Sequence, residues 1–289
     1  MRALAAMVSA GLAAITPPAA AAPPARVMSV NLCADQLVLA LLPPARITSV
    51  SWFSRDAEQS WMAAQARRVP ANHGLAEEVV RDRPDLVVTG AYTTPALQAL
   101  LRRLRYRVLT LEPEADFADI ARNIRLVAAA VGERAKGEAM VAAMQARLAR
   151  LRADRAPPLR VAAWDGAGFS ARPGSLYDAI LRAAGARNVA NDTGRFPSGA
   201  PEVEILLATA PQLLLESASA SDATGRRSDL AHHPLIRRFW GDRTLVVPPA
   251  ATVCGTPFSA EAAQRLRDQM RAKLAQARAP LPFQPGGAP

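Results

Sequence analysis

Short apolar runs alternate with amphipathic segments along the first half of this chain. Residues 26–30, 47–51, 86–89 and 108–111 are apolar runs of strand length. Apolar strands separated by helices are typical of a parallel sheet that is covered on both faces. The predicted helices lie between these runs, at residues 34–42, 57–66, 95–104 and 116–131, with one more beginning near Glu77. The pattern therefore predicts an α/β fold.

One pattern occurs twice, once in each half of the chain. Glu77 and Glu204 each begin a short amphipathic segment and stand seven residues before a proline, Pro84 or Pro211, that precedes an apolar run. Proline ends a helix because it lacks the backbone N–H and clashes with the preceding turn. Each copy thus predicts a short helix followed by a buried strand, and the repetition predicts two lobes of similar plan. Two matched acidic residues suit a symmetric partner with two basic pockets.

Between the two halves, residues 133–155 have an uninterrupted helical pattern. Met140, Met144, Leu148 and Leu151 fall on one face, and prolines follow at 157 and 158. At about 1.5 Å per residue, this helix would be roughly 35 Å long. A second series follows, with strands at 160–164, 213–216 and 244–247 and helices at 176–184 and 260–277. We therefore predict two Rossmann-like α/β lobes with central parallel sheets, joined by one long helix that permits limited hinge motion.

The N-terminus has the pattern of an export signal. Arg2 precedes an apolar stretch, and small residues at 19–22 predict cleavage near Ala21 or Ala22. A retained membrane anchor is the alternative, since two prolines follow the predicted cut. Later apolar runs are shorter than the roughly 20 residues of a membrane-spanning helix, so we predict a soluble periplasmic protein. The predicted divisions are a signal peptide (1–22), an N-terminal lobe (25–132), a connecting helix (133–156), a C-terminal lobe (157–279) and a disordered tail (280–289).

Composition and charge narrow the classes of function. Half of the 289 residues are apolar, and the net charge of +10 comes from scattered arginines without a dense basic run. Nucleic acid binding is therefore not expected. The arginines either form an ordinary solvated surface or, where some face a cleft, attract an anionic ligand.

The chain has two cysteines, Cys33 and Cys254, one in each predicted lobe. Both fall where a strand gives way to a loop, so a disulfide between them would tie the lobes together near a cleft. An oxidising compartment permits such a bond. Two separate buried thiols are the alternative. No metal site is predicted, because two sulfurs without nearby histidines are a poor ligand set.

The order and spacing of several segments resemble the helical-backbone (class III) periplasmic substrate-binding proteins of ABC importers for cobalamin, ferric siderophores and haem. The likeness spans residues 26–277, and its carriers are Val27-Met-Ser-Val-Asn-Leu-Cys-Ala-Asp-Gln-Leu37 and residues 77–88, 185–190 and 201–215. The resemblance implies a receptor that captures a bulky metal chelate, namely a corrinoid, a ferric siderophore or haem, between two lobes. It also implies delivery to an inner-membrane permease dimer whose arginines engage Glu77 and Glu204, with Glu78 and Glu202 as alternatives. We expect a monomer with no cofactor and no catalysis.

Ligands of open α/β sheets collect beyond the carboxyl ends of the strands. Aromatic residues are only 5% of the chain, yet several stand at predicted strand ends, where rings and guanidinium groups suit a large planar or chelated ligand. Arg55 is the first choice, ahead of Arg172 and Arg195, for pairing with ligand carboxylates. The predicted ligand-binding residues are Asn31, Cys33, Trp52, Phe53, Arg55, Tyr92, Trp164, Asp165, Phe169, Arg195, Phe196 and Phe258.

Two other functions remain open. A receptor for Zn or Mn ions, of the related binding-protein type, would need several imidazoles or carboxylates from both lobes, and the chain has only His73, His232 and His233. An exported α/β enzyme is the other alternative, since a glycine-containing loop at 166–171 superficially matches a dinucleotide fingerprint. Pro173 and Gly174 interrupt the helix that should follow such a loop, which weakens the match.

Overall fold

The computed structural model describes residues 22–154, 156–165, 168–192, 203–217, 233–279 and 281–282. Two groups of predictions lie outside these residues. The first is the signal peptide with its cleavage site, apart from Ala22, together with most of the predicted tail. The second is the set of residues Arg195, Phe196, Glu202 and His232.

The N-terminal lobe is built on a five-stranded parallel sheet. Its strands are β1 (Val27–Ser29), β2 (Ile47–Ser51), β3 (Ala71–Asn72), β4 (Leu86–Gly90) and β5 (Val108–Leu111), in the order β3-β2-β1-β4-β5. All residues of β4 are buried, as expected for an inner strand that is covered on both faces. The helices around the sheet are α1 (Leu32–Leu41), α2 (Ala63–Ala66), α3 (Ala76–Asp82), α4 (Pro95–Arg103) and α5 (Phe117–Val131).

Side-chain caps fix where two of these helices begin. Asn31 accepts hydrogen bonds from the backbone N–H groups of Cys33 and Ala34 at the start of α1, and Asp116 caps α5 in the same way. Such caps satisfy N–H groups that have no partner within the helix. Gly132 then ends α5 with a φ of 80°, a left-handed conformation that favours glycine.

The C-terminal lobe repeats this plan. Its strands are β6 (Leu159–Asp165), β7 (Gly168–Phe169), β8 (Ala186–Asn188), β9 (Leu213–Ser217) and β10 (Thr244–Val247), and its helices are α7 (Leu176–Ala183), α8 (Val203–Thr209), α9 (Pro234–Trp240) and α10 (Ser259–Gln276). Strand β6 lies between β8 and β9, and β10 pairs with β9, all in parallel. The order β8-β6-β9-β10 thus matches β2-β1-β4-β5 in the first lobe. The short β7 is antiparallel to the end of β6.

A single long helix, α6 (Arg134–Ala153), connects the two lobes. Its 20 residues are about 30 Å long. Val141, Met144, Leu148 and Leu151 are buried, so the predicted apolar face exists. A Cβ at Gly137 would lie 2.4 Å from the Cβ of Ala128 on α5, and glycine therefore lets the two helices cross closely. The predicted fold class, two α/β lobes with parallel sheets joined by one long helix, is confirmed.

The repeated acidic pattern also has the expected local structure. Glu77 and Glu204 lie in the first turns of the seven-residue helices α3 and α8, which precede the inner strands β4 and β9. Each helix ends at a residue with positive φ, Arg83 at 43° and Ala210 at 40°. A proline follows each of these residues, which prevents the helix from continuing.

One predicted helix is shorter than expected. The pattern predicted a helix over residues 57–66, but only Ala63–Ala66 is helical. The backbone N–H groups of Trp61 and Met62 donate instead to side-chain oxygens, those of Gln36 and Ser60. These bonds compete with a helical ladder.

Candidate functional site

The carboxyl edges of the two sheets face each other across a cleft. Segments that follow β1, β4 and β5 line a cavity of about 110 Å³, together with Leu176 and Val253 of the second lobe. A neighbouring cavity of about 430 Å³ is also lined by Leu176 and Val253, and it extends to Gln59 and Ser217. The two cavities share Leu176 and Val253 and lie in the place where open α/β sheets bind ligands.

Two aromatic rings stack at the carboxyl edge of the N-terminal sheet. Trp52 and Phe53 follow β2 directly, and their ring centroids are 4.1 Å apart. Their exposed fractions are 47% and 48%. The His73 ring, which follows β3, lies 6.3 Å from the Trp52 ring. These neighbouring rings form an exposed face that suits a flat ligand.

Tyr92 and Asn31 mark another part of the same edge. Tyr92 follows β4 and is 85% exposed, and both residues line the smaller cavity. A Cβ at Gly90 would lie 2.7 Å from Cγ of Asn31, so glycine is needed where β4 ends against this side chain. Oδ1 of Asn31 already accepts hydrogen bonds from the N–H groups of Cys33 and Ala34, which cap α1.

A disulfide joins the lobes at the cleft. Sγ of Cys33, in the first turn of α1, is bonded to Sγ of Cys254, which follows β10. The same C-terminal segment makes further contacts with the first lobe. The N–H of Ala250 donates to the carbonyl oxygen of Glu58 at 2.8 Å, and the Phe258 ring stacks on Trp61 at 6.2 Å. The lobes are thus linked beside the cleft as well as through α6.

Two glutamates that the sequence analysis did not select also line the smaller cavity. Glu112 and Glu114 follow β5, and Glu112 is exposed. Burial raises the pKa of the Glu114 carboxyl group above its ordinary value, although a hydrogen bond from Asn123 opposes this effect. Both follow a predicted strand closely, and this position at a strand end could have identified them from the sequence.

Two predicted ligand-binding residues, Trp164 and Phe258, do not face the cleft. Trp164 is fully buried in an apolar cluster of the second lobe, with Leu206, Leu214 and Trp240 among its members. Its position as the penultimate residue of β6 turns the ring into the helix layer instead of the gap. The prediction for Trp164 is therefore wrong.

Arg55 and Phe258 both make contacts within the protein. Nη2 of Arg55 donates to the carbonyl oxygen of Val69, before β3, at 2.7 Å. Phe258 lines a groove beside α6 together with Met140 and Met144. The prediction for Phe258 is therefore wrong, and that for Arg55 stays a prediction.

The other predicted positions have less structural detail. Asp165 and Phe169 belong to β6 and β7, which pair at the cleft end of β6, and their side chains are outside the described set. Arg195 and Phe196 lie outside the described residues altogether. Arg172 is exposed in the loop before α7.

The paired glutamates differ from their neighbours. Glu77 and Glu204 are both exposed, and a helix between parallel strands begins at the carboxyl edge of its sheet, so both lie near the edges that flank the cleft. Glu78 is 9% exposed, and its Oε2 accepts hydrogen bonds from the N–H groups of His73 and Leu75. These bonds contribute to a lowered pKa for Glu78, against the opposing effect of burial. The structure therefore favours Glu77 over Glu78 as the residue that is free to contact a partner.

The described residues contain neither a metal-binding cluster nor a helix that could span a membrane. No three His, Cys, Asp or Glu side chains converge there into a group that could hold a metal ion. No helix within the described ranges has the length and apolar character required to cross a bilayer.

Comparison with known proteins identifies the fold and the family. The chain resembles a periplasmic heme-binding protein of Roseiflexus sp. RS-1 in its apo form, with 20% identity, a TM-score of 0.72 and coverage of 86% of this chain and 98% of the other. A periplasmic heme-binding protein of Pseudomonas aeruginosa has 21% identity, a TM-score of 0.66 and coverage of 88% and 94%. The periplasmic vitamin B12-binding protein of Vibrio cholerae has 20% identity, a TM-score of 0.66 and coverage of 88% and 99%.

The sequence itself gives two further results. No curated protein matches it significantly. A family model described as periplasmic binding protein matches residues 27–239, which is more than half of the chain. The protein therefore belongs to the periplasmic binding protein family.

Proposed function

We propose that this protein is the periplasmic receptor of an ABC importer and that it carries a bulky metal chelate between its lobes. The chelate is a corrinoid, a ferric siderophore or haem. The stacked, half-exposed rings of Trp52 and Phe53 at the carboxyl edge of the N-terminal sheet are the observation that carries this proposal. Large rings left in contact with water beside a gap are typical of a surface that receives a ligand.

The ligand site consists mainly of the N-terminal edge. Trp52 and Phe53 provide an apolar face, Tyr92 adds an exposed ring, and Asn31 offers its amide beside the smaller cavity. His73 can donate to the ligand or bind its metal through a ring nitrogen. Asp165, Phe169, Arg195 and Phe196 contribute from the second lobe.

The protein performs no covalent chemistry in this proposal. Binding uses a largely preformed gap, because α6 and the Cys33–Cys254 bond both restrain the lobes. Release follows when the permease favours an arrangement of the lobes that holds the chelate poorly. The protein works as a monomer, residues 1–22 are removed on export, and residues 25–132 and 157–279 act as the two lobes on either side of the connecting helix, with 280–289 as a tail.

Docking to the permease uses Glu77 and Glu204, one on each lobe. Both are exposed, both lie in the first turn of a short helix, and both precede the inner strand that leads to the cleft. Leu75 and Val80 are 54% and 48% exposed beside Glu77, and they add an apolar contact on the first lobe. A permease dimer with one basic pocket per subunit would engage both carboxylates at once.

Tryptophan fluorescence of the purified protein tests ligand binding. We expect haemin, cyanocobalamin or a ferric hydroxamate siderophore to quench the emission of Trp52, and we expect Trp52→Phe to lose most of that quenching. Leu126→Ala is the matched control, because Leu126 is 43% exposed on α5 and away from the cleft edge. Absence of a response to all three compounds, with tight binding of bare Zn²⁺ or Mn²⁺, would favour a metal-ion receptor.

A further inference from the structure

The buried Asp35 lies directly beneath the exposed ring pair. It belongs to the first turn of α1 and is 0% exposed. Its Oδ2 accepts a hydrogen bond from the N–H of Ser51 at 3.0 Å and another from Oγ of Ser54 at 2.6 Å. Ser51 and Ser54 stand immediately before and after Trp52 and Phe53. One carboxyl oxygen therefore holds both ends of the short turn that carries the rings.

The rings themselves cannot fix this turn by burial. About half of each ring is exposed, so much of the apolar area that normally orders an aromatic side chain remains in water. The turn also has no side-chain cap of its own. In place of ring burial and a side-chain cap, the turn has two buried hydrogen bonds to the carboxyl group of Asp35, on another element. Burial of such a carboxyl group is costly unless it is hydrogen-bonded.

We propose that Asp35 is a positioning residue that sets the ring pair in the orientation that receives the ligand. This inference rests on the proposed function, since it assigns the geometry of the same site to a residue that never touches the ligand. It also explains why an ionisable group is kept in the interior of the first lobe.

The surroundings of Asp35 favour a neutral carboxylic acid. Burial raises its pKa to about 8, against the opposing effect of the hydrogen bonds from Ser54 and Ser51. The polar groups that face it, on Ser29, Ser51, Ser54 and Asn31, are all uncharged. Among the described residues, Oδ1 of Asp35 and Oγ of Ser29 are both without a hydrogen-bond partner. A proton on Oδ1 would give the carboxyl group a donor that can reach Ser29.

Fluorine NMR of protein labelled with 5-fluorotryptophan reads the turn without any ligand. The chain has four tryptophans, and Trp52→Phe assigns the resonance of Trp52. We expect Asp35→Ala to shift or broaden this resonance and to leave those of Trp164 and Trp240 in place. Asp35→Asn should restore it, because the amide oxygen still accepts from Ser51 and Ser54.

Asp178→Ala is the matched control. Asp178 is a buried aspartate in the first turn of α7, and it accepts from Asn188 at 2.9 Å in the other lobe. Its loss removes a comparable buried network but should leave the Trp52 resonance unchanged. An unchanged Trp52 resonance in Asp35→Ala, or an equal disturbance in Asp178→Ala, would overturn the proposal.

Ligand affinity and pH complete the test. With the chelate that binds the wild-type protein, Asp35→Ala should weaken binding about tenfold, whereas Asp35→Asn should remain near wild type at pH 7. The wild-type Trp52 resonance should titrate near pH 8, and that of Asp35→Asn should not. If Asp35→Ala disturbs the Trp52 resonance but the protein binds no chelate, Asp35 controls the turn and the proposed function is wrong. Unchanged affinity in Asp35→Ala would show that Asp35 does not set the ligand-binding orientation.

Discussion

The two lobes share a plan but differ at the edges that face the cleft. In both lobes the first strand, β1 or β6, is an inner strand of the sheet. Both lobes also have a glutamate in a seven-residue helix that ends at a residue with positive φ, followed by a proline and the next inner strand. At the cleft, however, the first lobe exposes rings and carboxylates. The described part of the second lobe offers Tyr177 and Val253 there, together with small hydroxyl groups such as those of Ser170 and Thr252.

This contrast separates two requirements. A symmetric partner needs the same feature on both lobes, and the repeated glutamates provide it. A ligand without that symmetry needs different surfaces on its two sides, and the described parts of the two cleft edges differ. We therefore expect changes at the matched positions to affect delivery and changes at the unmatched positions to affect binding.

Charge reversal at both matched positions should have the largest effect. In Glu77→Lys/Glu204→Lys, each lysine would oppose a basic pocket, and removal of one partner of a close charge pair costs about 2–5 kcal/mol. Uptake in cells should therefore be abolished, while chelate affinity of the purified protein stays unchanged. Each single variant should retain partial uptake.

The control for this variant is Glu138→Lys/Asp268→Lys. Both residues are exposed and lie on the helices α6 and α10, so the change in net charge is the same without a change at the rim of the cleft. Loss of uptake in this control, or normal uptake in Glu77→Lys/Glu204→Lys, would remove the docking hypothesis.

Truncation of the ring pair should have the next largest effect. Aromatic residues at the centre of a binding surface contribute at least about 2 kcal/mol, so Trp52→Ala/Phe53→Ala should weaken chelate binding by about thirtyfold in calorimetric titrations. Thr252→Val in the second lobe keeps the side-chain shape and removes one hydroxyl group, and we expect about a two- to threefold loss. Equal effects on the two edges would contradict the claim that the first lobe contributes more to chelate binding than the second.

Removal of the link between the lobes should mainly change stability. Cys33→Ser/Cys254→Ser opens a covalent loop with a sequence separation of 221 residues, and loss of a native disulfide typically costs about 2–5 kcal/mol. The melting temperature should fall in calorimetry, and the lobes should show a wider distribution of distances between spin labels placed on α4 and α9. An unchanged distribution would show that α6 alone limits the motion.

Stability should also depend on pH. The folded pKa of Asp35, about 8, lies above its ordinary value of 3.8, so the folded protein binds a proton that the unfolded chain has lost between these values. Stability should therefore be greatest below pH 4 as far as Asp35 is concerned, and it should decline as the pH rises to about 8. Asp35→Asn should flatten this part of the profile in urea unfolding, and a slope that persists in this variant would assign it to another group.

The sequence predicted the elements and their repetition because these depend on local patterns. Apolar runs, prolines and the periodicity of α6 are properties of neighbouring residues, and they were sufficient for two lobes and one connecting helix. The resemblance to class III binding proteins added the function. The structure added the pairing of Cys33 with Cys254, which the spacing of two cysteines had left open.

The side-chain directions at the site were less predictable. Both faces of β6 are covered, so alternation along the strand could not show that Trp164 turns into a core cluster. Arg55 has a side chain long enough to reach back to the carbonyl oxygen of Val69, and no local pattern indicates that contact. The role of Asp35 depends on a turn 16 residues away in sequence, which only the fold brings into contact.

Hydrogen exchange of the protein saturated with the chelate that it binds tests the central claim most directly. We expect slower exchange at residues 51–55 and 91–93 of the first lobe and at 252–254 of the second, with unchanged exchange in the groove beside α6. Protection confined to that groove, or unchanged exchange at both edges of the cleft, would contradict the claim that the chelate binds between the lobes.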